Sequence, residues 1–550
     1  MRRLLACLLL ASSVACSDRS SSGASGGTVV VGAAADADAL LMPLVEGIQG
    51  RIVAELLFDR LAEMGPSLNT VGDADFQPRL ARSWRWSADS LAIVFELDPT
   101  ARWHDGQPVR AADVVYGLAA IRDSANGSPL AASIADIVSV TALDSLSAEI
   151  RFSDRSPEQF YSATLIMPLP AHILAELPSG ALRTSPAAHA PVGSGRFRFV
   201  RWEPGVAIEL ATVRDHYRGR AKLDRVLLSV SPEMAAGLAR VKAGEVDVWD
   251  PLPPTEIGEM AAQPHLRVVT APGFDYAFMA FNFRDPRAQA RPHPLFADLA
   301  MRRAITMAVD RQAVVRGVFD TLGLVLKGPF TRTQSTADTT LRQIAFDRAA
   351  AEALLDSLGW RERGADGVRR RGNRRLTFQV ILPSSSRSRE RAAVLMQEQL
   401  RAVGVEMTID RSEFQAFLDK QSAGRFDAAL GGIRTTPSPR GVRGWWTSTA
   451  IPGGGTQNAW RYTSAPFDSL IDAGLRAMDP ERSRSLLRAG YQQAIDDAAA
   501  VWLYEIKNGT AIHKRLVLPP WRPDAWWLTL GEWTVDPAQR LPRDATPATP

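Results

Sequence analysis

Cysteine is almost missing from this sequence. Its 550 residues hold two, Cys7 and Cys16, and the 534 positions that follow hold none. The folded body therefore has no disulfide, thiolate metal site or catalytic thiol. An exported chain without disulfides fits a bacterial envelope better than a eukaryotic secretory route. Long apolar runs are also missing: beyond residues 1–15 no stretch of about 18 apolar residues could span a bilayer. Lysine is scarce, at six of the 64 basic residues, and the arginines are scattered among 60 acids for a net charge of +4. No basic stripe results, so no nucleic-acid partner is expected.

The usual marks of catalysis are missing too. The seven histidines (His104, His172, His189, His216, His265, His293 and His513) include no pair three or four apart, so no helical metal pair or HExxH exists. There is no Walker loop and no GxGxxG. The one GxSxG, Gly23 to Gly27, has no strand before it or helix after it. His104-Asp105 looks like an acid/base pair, but a turn at Asp105-Gly106 explains it better. The sequence calls for no enzyme activity, cofactor or metal, which disfavours an envelope hydrolase.

What is present is ordinary globular composition, 46% hydrophobic and 23% charged, at a length that suggests three to four domains of about 150 residues. Met1-Arg2-Arg3 and the mostly apolar Leu4 to Ala15 have the layout of a secretory signal. Ser13-Val14-Ala15-Cys16 follows, with Ser13 where lipoprotein signals usually carry leucine. Cys16 is the expected lipidation site, with a plain cleaved signal as the alternative. Ser17 to Gly27 reads as a flexible tether.

Strands and helices then alternate, which gives a mixed α/β class. Thr28 to Gly32 and Leu91 to Leu97 read as strands, and Ala112 to Ile121 as a helix. Ser231-Pro232 offers a helix start, Asp347 caps Arg348 to Leu358, and Arg389 to Val403 leads to a strand at Val405 to Ile409. The arginines at 369–371 and 374–375 read as a solvated turn, and Pro537 to Pro550 as a disordered tail. Trp445-Trp446 and Trp526-Trp527 are either core or ligand-stacking walls.

Leu80-Ala81-Arg82-Ser83-Trp84, Phe95-Glu96-Leu97, Trp103 to Val109 and Ala112-Asp113-Val114-Val115-Tyr116 together resemble the hallmark segment of the family 5 bacterial extracellular solute-binding proteins, the oligopeptide- and dipeptide-binding group of the ABC importers. The order continues with Gly193 to Phe197, Trp202-Glu203-Pro204-Gly205, Ala243 to Asp247, Phe281-Asn282, Arg302-Arg303-Ala304, Ala308 to Arg311, Leu400 to Val405, Phe426-Asp427-Ala428 and Asn458. The resemblance implies a two-lobed periplasmic-binding-protein-like fold with an additional subdomain inserted in the first lobe. It maps a signal to 1–15, a lipid-anchored tether to 16–27, and the first lobe to 28–75, 190–272 and 503–536. The inserted subdomain falls at 76–189, the second lobe at 273–502 and the tail at 537–550.

It further implies a monomer on the periplasmic side of the envelope, held to the membrane by its N-terminal lipid. Hinge closure would capture a peptide or other small-molecule solute for ABC permease subunits. The alternatives are an anionic or sugar-like solute, or a receptor or chaperone-like role outside transport. Peptide binders of this family place a Trp-x-x-Asp stretch after the "fDa" strand, its carboxylate pairing the peptide ammonium. Here the corresponding positions are Gly432 and Thr435. A buried ammonium without a partner is heavily penalised, whereas Arg434, Arg440 and Arg443 would suit a carboxylate or phosphate. Alternatively these arginines face solvent and another acid, such as Glu505, supplies the counter-charge. The expected ligand-binding residues are Asp36, Arg434, Thr435, Trp445, Trp446 and Asn458.

Overall fold

The structure, a computed structural model, describes residues 26–450 and 457–545. The signal segment, Cys16 and the tether apart from Gly26 and Gly27 lie outside the described residues.

Three consecutive valines make β1 (Thr28–Ala33) an apolar run buried along its whole length, as suits a strand covered on both faces. Helix α1 (Ile48–Leu57) follows. The chain then builds a separate antiparallel sheet from β2 (Ala81–Trp86), β3 (Ala92–Leu97), β4 (Ile137–Ala142) and β5 (Ser147–Phe152), in the order β2-β3-β5-β4. Helix α2 (Ala111–Arg122) lies against this sheet. Its first-turn Asp113 accepts the Arg110 amide at 2.8 Å and the Trp103 indole at 3.0 Å, so a capping carboxylate also fixes a core tryptophan.

The chain returns as β6 (Phe197–Glu203), β7 (Ala207–Thr212), β8 (Arg225–Val230), α3 (Met234–Lys242) and β9 (Val248–Leu252). Strands β8 and β9 flank β1 in parallel. Helix α3 starts later than Ser231-Pro232 suggests: the Ser231 hydroxyl that would cap it accepts from Arg240 at 3.0 Å, and its amide continues the β1–β8 ladder by donating to the Ala33 carbonyl at 2.8 Å.

The 16-residue β10 (Leu266–Phe281) leads onward. After it come α4 (Leu299–Met307), α5 (Arg311–Phe319), β11 (Gly323–Val325) and α6 (Arg348–Ser357), the last capped by Asp347 through the Ala350 amide at 2.9 Å. Next are β12 (Thr377–Pro383), α7 (Arg387–Ala402), β13 (Glu406–Ser412), α8 (Phe414–Ser422) and β14 (Ala428–Arg434). The series closes with α9 (Gly441–Trp446), α10 (Ala465–Arg476), α11 (Pro480–Asp496) and β15 (Ala500–His513).

Eleven strands form one sheet, in the order β13-β12-β14-β10-β15-β9-β1-β8-β7-β6 with β11 beside β15. Its two halves are the two lobes, and β10 and β15 alone run through both. They pair from Leu266↔His513 to Pro272↔Lys507 in the first lobe, and from Tyr276↔Glu505 to Ala280↔Ala500 in the second. Between Pro272 and Tyr276 the register shifts. Leu503 and Tyr504 belong to the second lobe's core, so the return crossing lies at 505–508 and not at 503.

One apolar core joins the first-lobe sheet to the inserted sheet and to Trp526, Trp527 and Trp533. Two more cover opposite faces of the second lobe's sheet. The expected disordered tail is corrected for residues 537–545. Asp544 accepts the Thr28 amide at 2.8 Å and pairs with the fully buried Arg515 at 2.9 Å, and Arg515 also holds Asp247 at 2.7 Å. Gly26 and Gly27, the end of the expected tether, are likewise buried, and the Gly27 amide donates to Asp224 at 2.8 Å.

Candidate functional site

Strand β12 is parallel to both of its neighbours, β13 and β14. Leaving β12, the chain enters α7, whose Ala392, Met396 and Leu400 pack on one face of the sheet. Leaving β13, it enters α8, whose Phe417 packs on the other. Helices that depart to opposite faces open a crevice at the carboxyl ends of the strands, where open α/β sheets bind ligands. A cavity of about 450 Å³ lies there, between the start of α7, the start of α8, the middle of β10 and the end of β14.

Its walls are largely apolar and aromatic. Trp445 is half-buried and stacks on Trp460, with ring centroids 6.3 Å apart and planes 15° apart. Phe414, 51% exposed, and Leu418 form an apolar lip on α8. The charged residues lining it are Arg389, Arg434 and Asp275. Arg434 ends β14 directly opposite Asp275 on β10, and the two pair at 3.3 Å with 75% and 45% of their side chains exposed. So open a pair is worth little.

Arg389 comes from the first turn of α7, and its guanidinium lies over Gly432. A Cβ at that position would collide with it. From the first lobe, Asp250 on β9 accepts Trp526 Nε1 at 3.0 Å and the Thr510 hydroxyl. Burial holds the Asp250 carboxyl above its usual range, against these hydrogen bonds and the positive charge of Arg434 across the cleft.

The residues expected from sequence are only partly brought together here. Arg434 and Trp445 line the crevice. Thr435 is turned aside, its hydroxyl accepting from Gln334 Nε2 at 3.2 Å. Trp446 is fully buried and donates to the Tyr276 hydroxyl at 3.2 Å. Asn458 is fully buried as well, and its amide bridges the carbonyls of Thr447 and Tyr462, each at 2.9 Å. Asp36 is held by Trp202 Nε1 at 3.1 Å and the Gly205 amide at 2.6 Å, so it fixes the β6–β7 turn.

The candidate counter-charge Glu505 is buried and bonded to Arg332. Arg443 pairs with Asp472 at 2.9 Å, outside the crevice. His104 and Asp105 diverge: the half-buried His104 ring bonds the Gly195 carbonyl at 2.9 Å, and Asp105 meets His172 at 2.7 Å. Arg389, Phe414 and Asp250 were not foreseen, and Gly432 stood out only as the place where the family carries tryptophan. Adjacent glycines within a strand, Gly431-Gly432, are a legible signal of close approach.

Arg440, just beyond β14, crosses to the inserted subdomain. It meets Asp136 and Glu158 at 3.1 Å each, and the hydroxyls of Ser156 and Ser162 at 3.0 Å each. Ser438 also donates to Glu158, at 2.9 Å. Burial pushes the Glu158 carboxyl up, with Arg440 and the Thr70 and Ser438 hydroxyls acting against that rise. Among the described residues no cluster of three or more metal-ligating side chains occurs, and no helix is long and apolar enough to cross a membrane.

The family described as bacterial extracellular solute-binding proteins, family 5 middle, matches residues 75–453. The oligopeptide-binding protein AppA of Bacillus subtilis is 25% identical over 467 residues, covering 82% of this chain and 83% of that protein. Heme-binding protein A of Haemophilus influenzae is 23% identical over 491 residues, covering 84% and 83%. Among solved structures, the ABC transporter substrate-binding protein CtaP of Listeria monocytogenes superposes with a TM-score of 0.78 at 19% identity, covering 93% of this chain and 100% of that one.

Proposed function

Since the chain belongs to the family 5 bacterial extracellular solute-binding proteins, we propose that it is the solute-capturing component of an ABC importer. It closes its two lobes on a peptide or peptide-like solute and hands it to a membrane permease. Relatives named for oligopeptides and for heme support a solute-binding role while leaving the solute class wide. The observation that carries the reading is the crevice at the carboxyl edge of the second lobe, facing Asp250 of the first. The β10–β15 pair is the proposed hinge, with its register shift the place where the strands bend. We further propose that the protein works as a monomer on the periplasmic side of the envelope, anchored through lipid on Cys16, or soluble in the periplasm where Cys16 is unmodified. ATP is used by other subunits.

The test is a thermal-shift series on protein stripped of ligand by unfolding and refolding. Pools of two- to five-residue peptides with free and with acetylated N-termini are compared. A ligand at about 100 times its Kd stabilises by roughly 2.7 kcal/mol, which raises the melting midpoint by a few degrees. A shift with either pool, accompanied by contraction in small-angle scattering, is the expected result. Binding without contraction would sink hinge closure.

A further inference from the structure

The crevice is inverted in charge relative to a site for an ammonium group. Asp275 is the lone carboxylate among its lining residues, and Arg434 already pairs with it. The acids that adjoin its lining residues are committed elsewhere: Glu505 to Arg332, Glu390 to Arg411 and Glu413 to the first-turn amides of α8, as Asp250 of the first lobe is to Thr510 and Trp526. Arg389, by contrast, has no carboxylate within 4 Å among the described residues. It sits beside Tyr504, occupying space that exists because Gly432 has no side chain. An arginine held over a bare strand, beside the Tyr504 hydroxyl and facing no carboxylate, is set up for bidentate contact with a planar anion. Trp445 and the exposed Phe414 and Leu418 supply the adjoining apolar surface.

Building on the solute-binding reading above, we propose that Arg389, with Arg434 beside it, is an anion seat. It selects solutes that present a carboxylate next to an apolar or aromatic group and carry no free ammonium at that end. Gly432 is the residue that decides this specificity, because any side chain there evicts Arg389.

The probes are the same peptide pools in four forms: free at both ends, N-acetylated, C-amidated, and blocked at both ends. N-acetyl-tryptophan and its amide serve as minimal probes. Calorimetry should show binding by the N-acetylated, free-carboxyl forms and none by the doubly blocked ones. Arg389→Met and Gly432→Ala should each weaken that binding roughly 10- to 150-fold, as loss of a charge-assisted hydrogen bond does. Arg443→Met removes the same charge outside the crevice and should leave it unchanged. Circular dichroism and the melting midpoint report whether each variant is folded. Gly432→Ser, a second small residue, repeats the eviction should Gly432→Ala misfold.

Binding that ignores the carboxyl block, or that survives Arg389→Met in a folded variant, overturns the anion seat while leaving a solute-binding protein. No response from any probe would overturn both readings together.

Discussion

Burial works against ionising Glu55, which is almost wholly enclosed, but Arg51 at 3.2 Å and Arg60 outweigh it and bring the carboxyl down from about 4.5 to about 2. Ionised Glu55 therefore stabilises the fold above its unfolded value, by about 3 kcal/mol. That contribution drains away as pH falls from 4.5 toward 2. Melting midpoints followed across this window should drop in the native protein, and Glu55→Gln should flatten the decline. An unchanged slope in the variant would show that other carboxylates govern acid unfolding. At this scale the sequence disclosed residue types more readily than directions. Arg434 could be picked out from its place in the stretch after Phe426-Asp427-Ala428, and Trp445 as one of an aromatic pair, and both line the crevice. Thr435 and Trp446, their immediate neighbours, face the other way, and which face a side chain takes depends on where β14 ends and α9 begins. Arg389 lay 43 positions from Gly432, and no spacing rule links a helix's first turn to a glycine on another strand.

Among the elements, the pair α10 and α11 shows how small residues set a packing distance. A Cβ on Gly490 would lie 2.7 Å from Ile471 Cδ1, and one on Gly474 would lie 2.8 Å from Leu487 Cγ and 3.1 Å from its backbone nitrogen. The helices meet over bare backbone, so Gly490→Ala overpacks a buried seam and should cost about 1–3 kcal/mol. Chemical denaturation checks this. A stabilised variant would mean that the helix propensity gained outweighs the crowding. Helix signals with a local cause were readable in the sequence. Asp347 caps α6 through a bond to its own third residue. The start expected at Ser231-Pro232 is not used, because the Ser231 hydroxyl accepts from Arg240 and its amide stays in the ladder with Ala33 of a distant strand. Local chemistry announces a cap, but it cannot announce a competing partner nearly 200 residues away.

For the whole molecule, the bridge from Arg440 to Asp136 and Glu158 ties the second lobe to the inserted subdomain. Arg440→Met leaves two carboxylates facing a gap and removes contacts worth about 1.5–3 kcal/mol for one charged hydrogen bond. The variant should scatter as a larger particle without ligand and bind its solute more weakly. An unchanged radius of gyration would mean that other contacts hold the lobes. The two-lobed plan could be read in advance from an ordered set of short motifs. The strand order could not, because the neighbours of β1 come from residues 225–252, and nothing near Thr28 specifies them. The ends of the described chain meet at Arg515, which holds Asp544 while bonding the Thr28 carbonyl at 2.6 Å. This clasp has a mechanical meaning. A pull on the N-terminal end loads β1 lengthwise, against six parallel pairs with β8 and a buried ion pair, so the ladder must shear all at once and cannot peel open one bond at a time. The first lobe is thereby built to bear tension at its leading end.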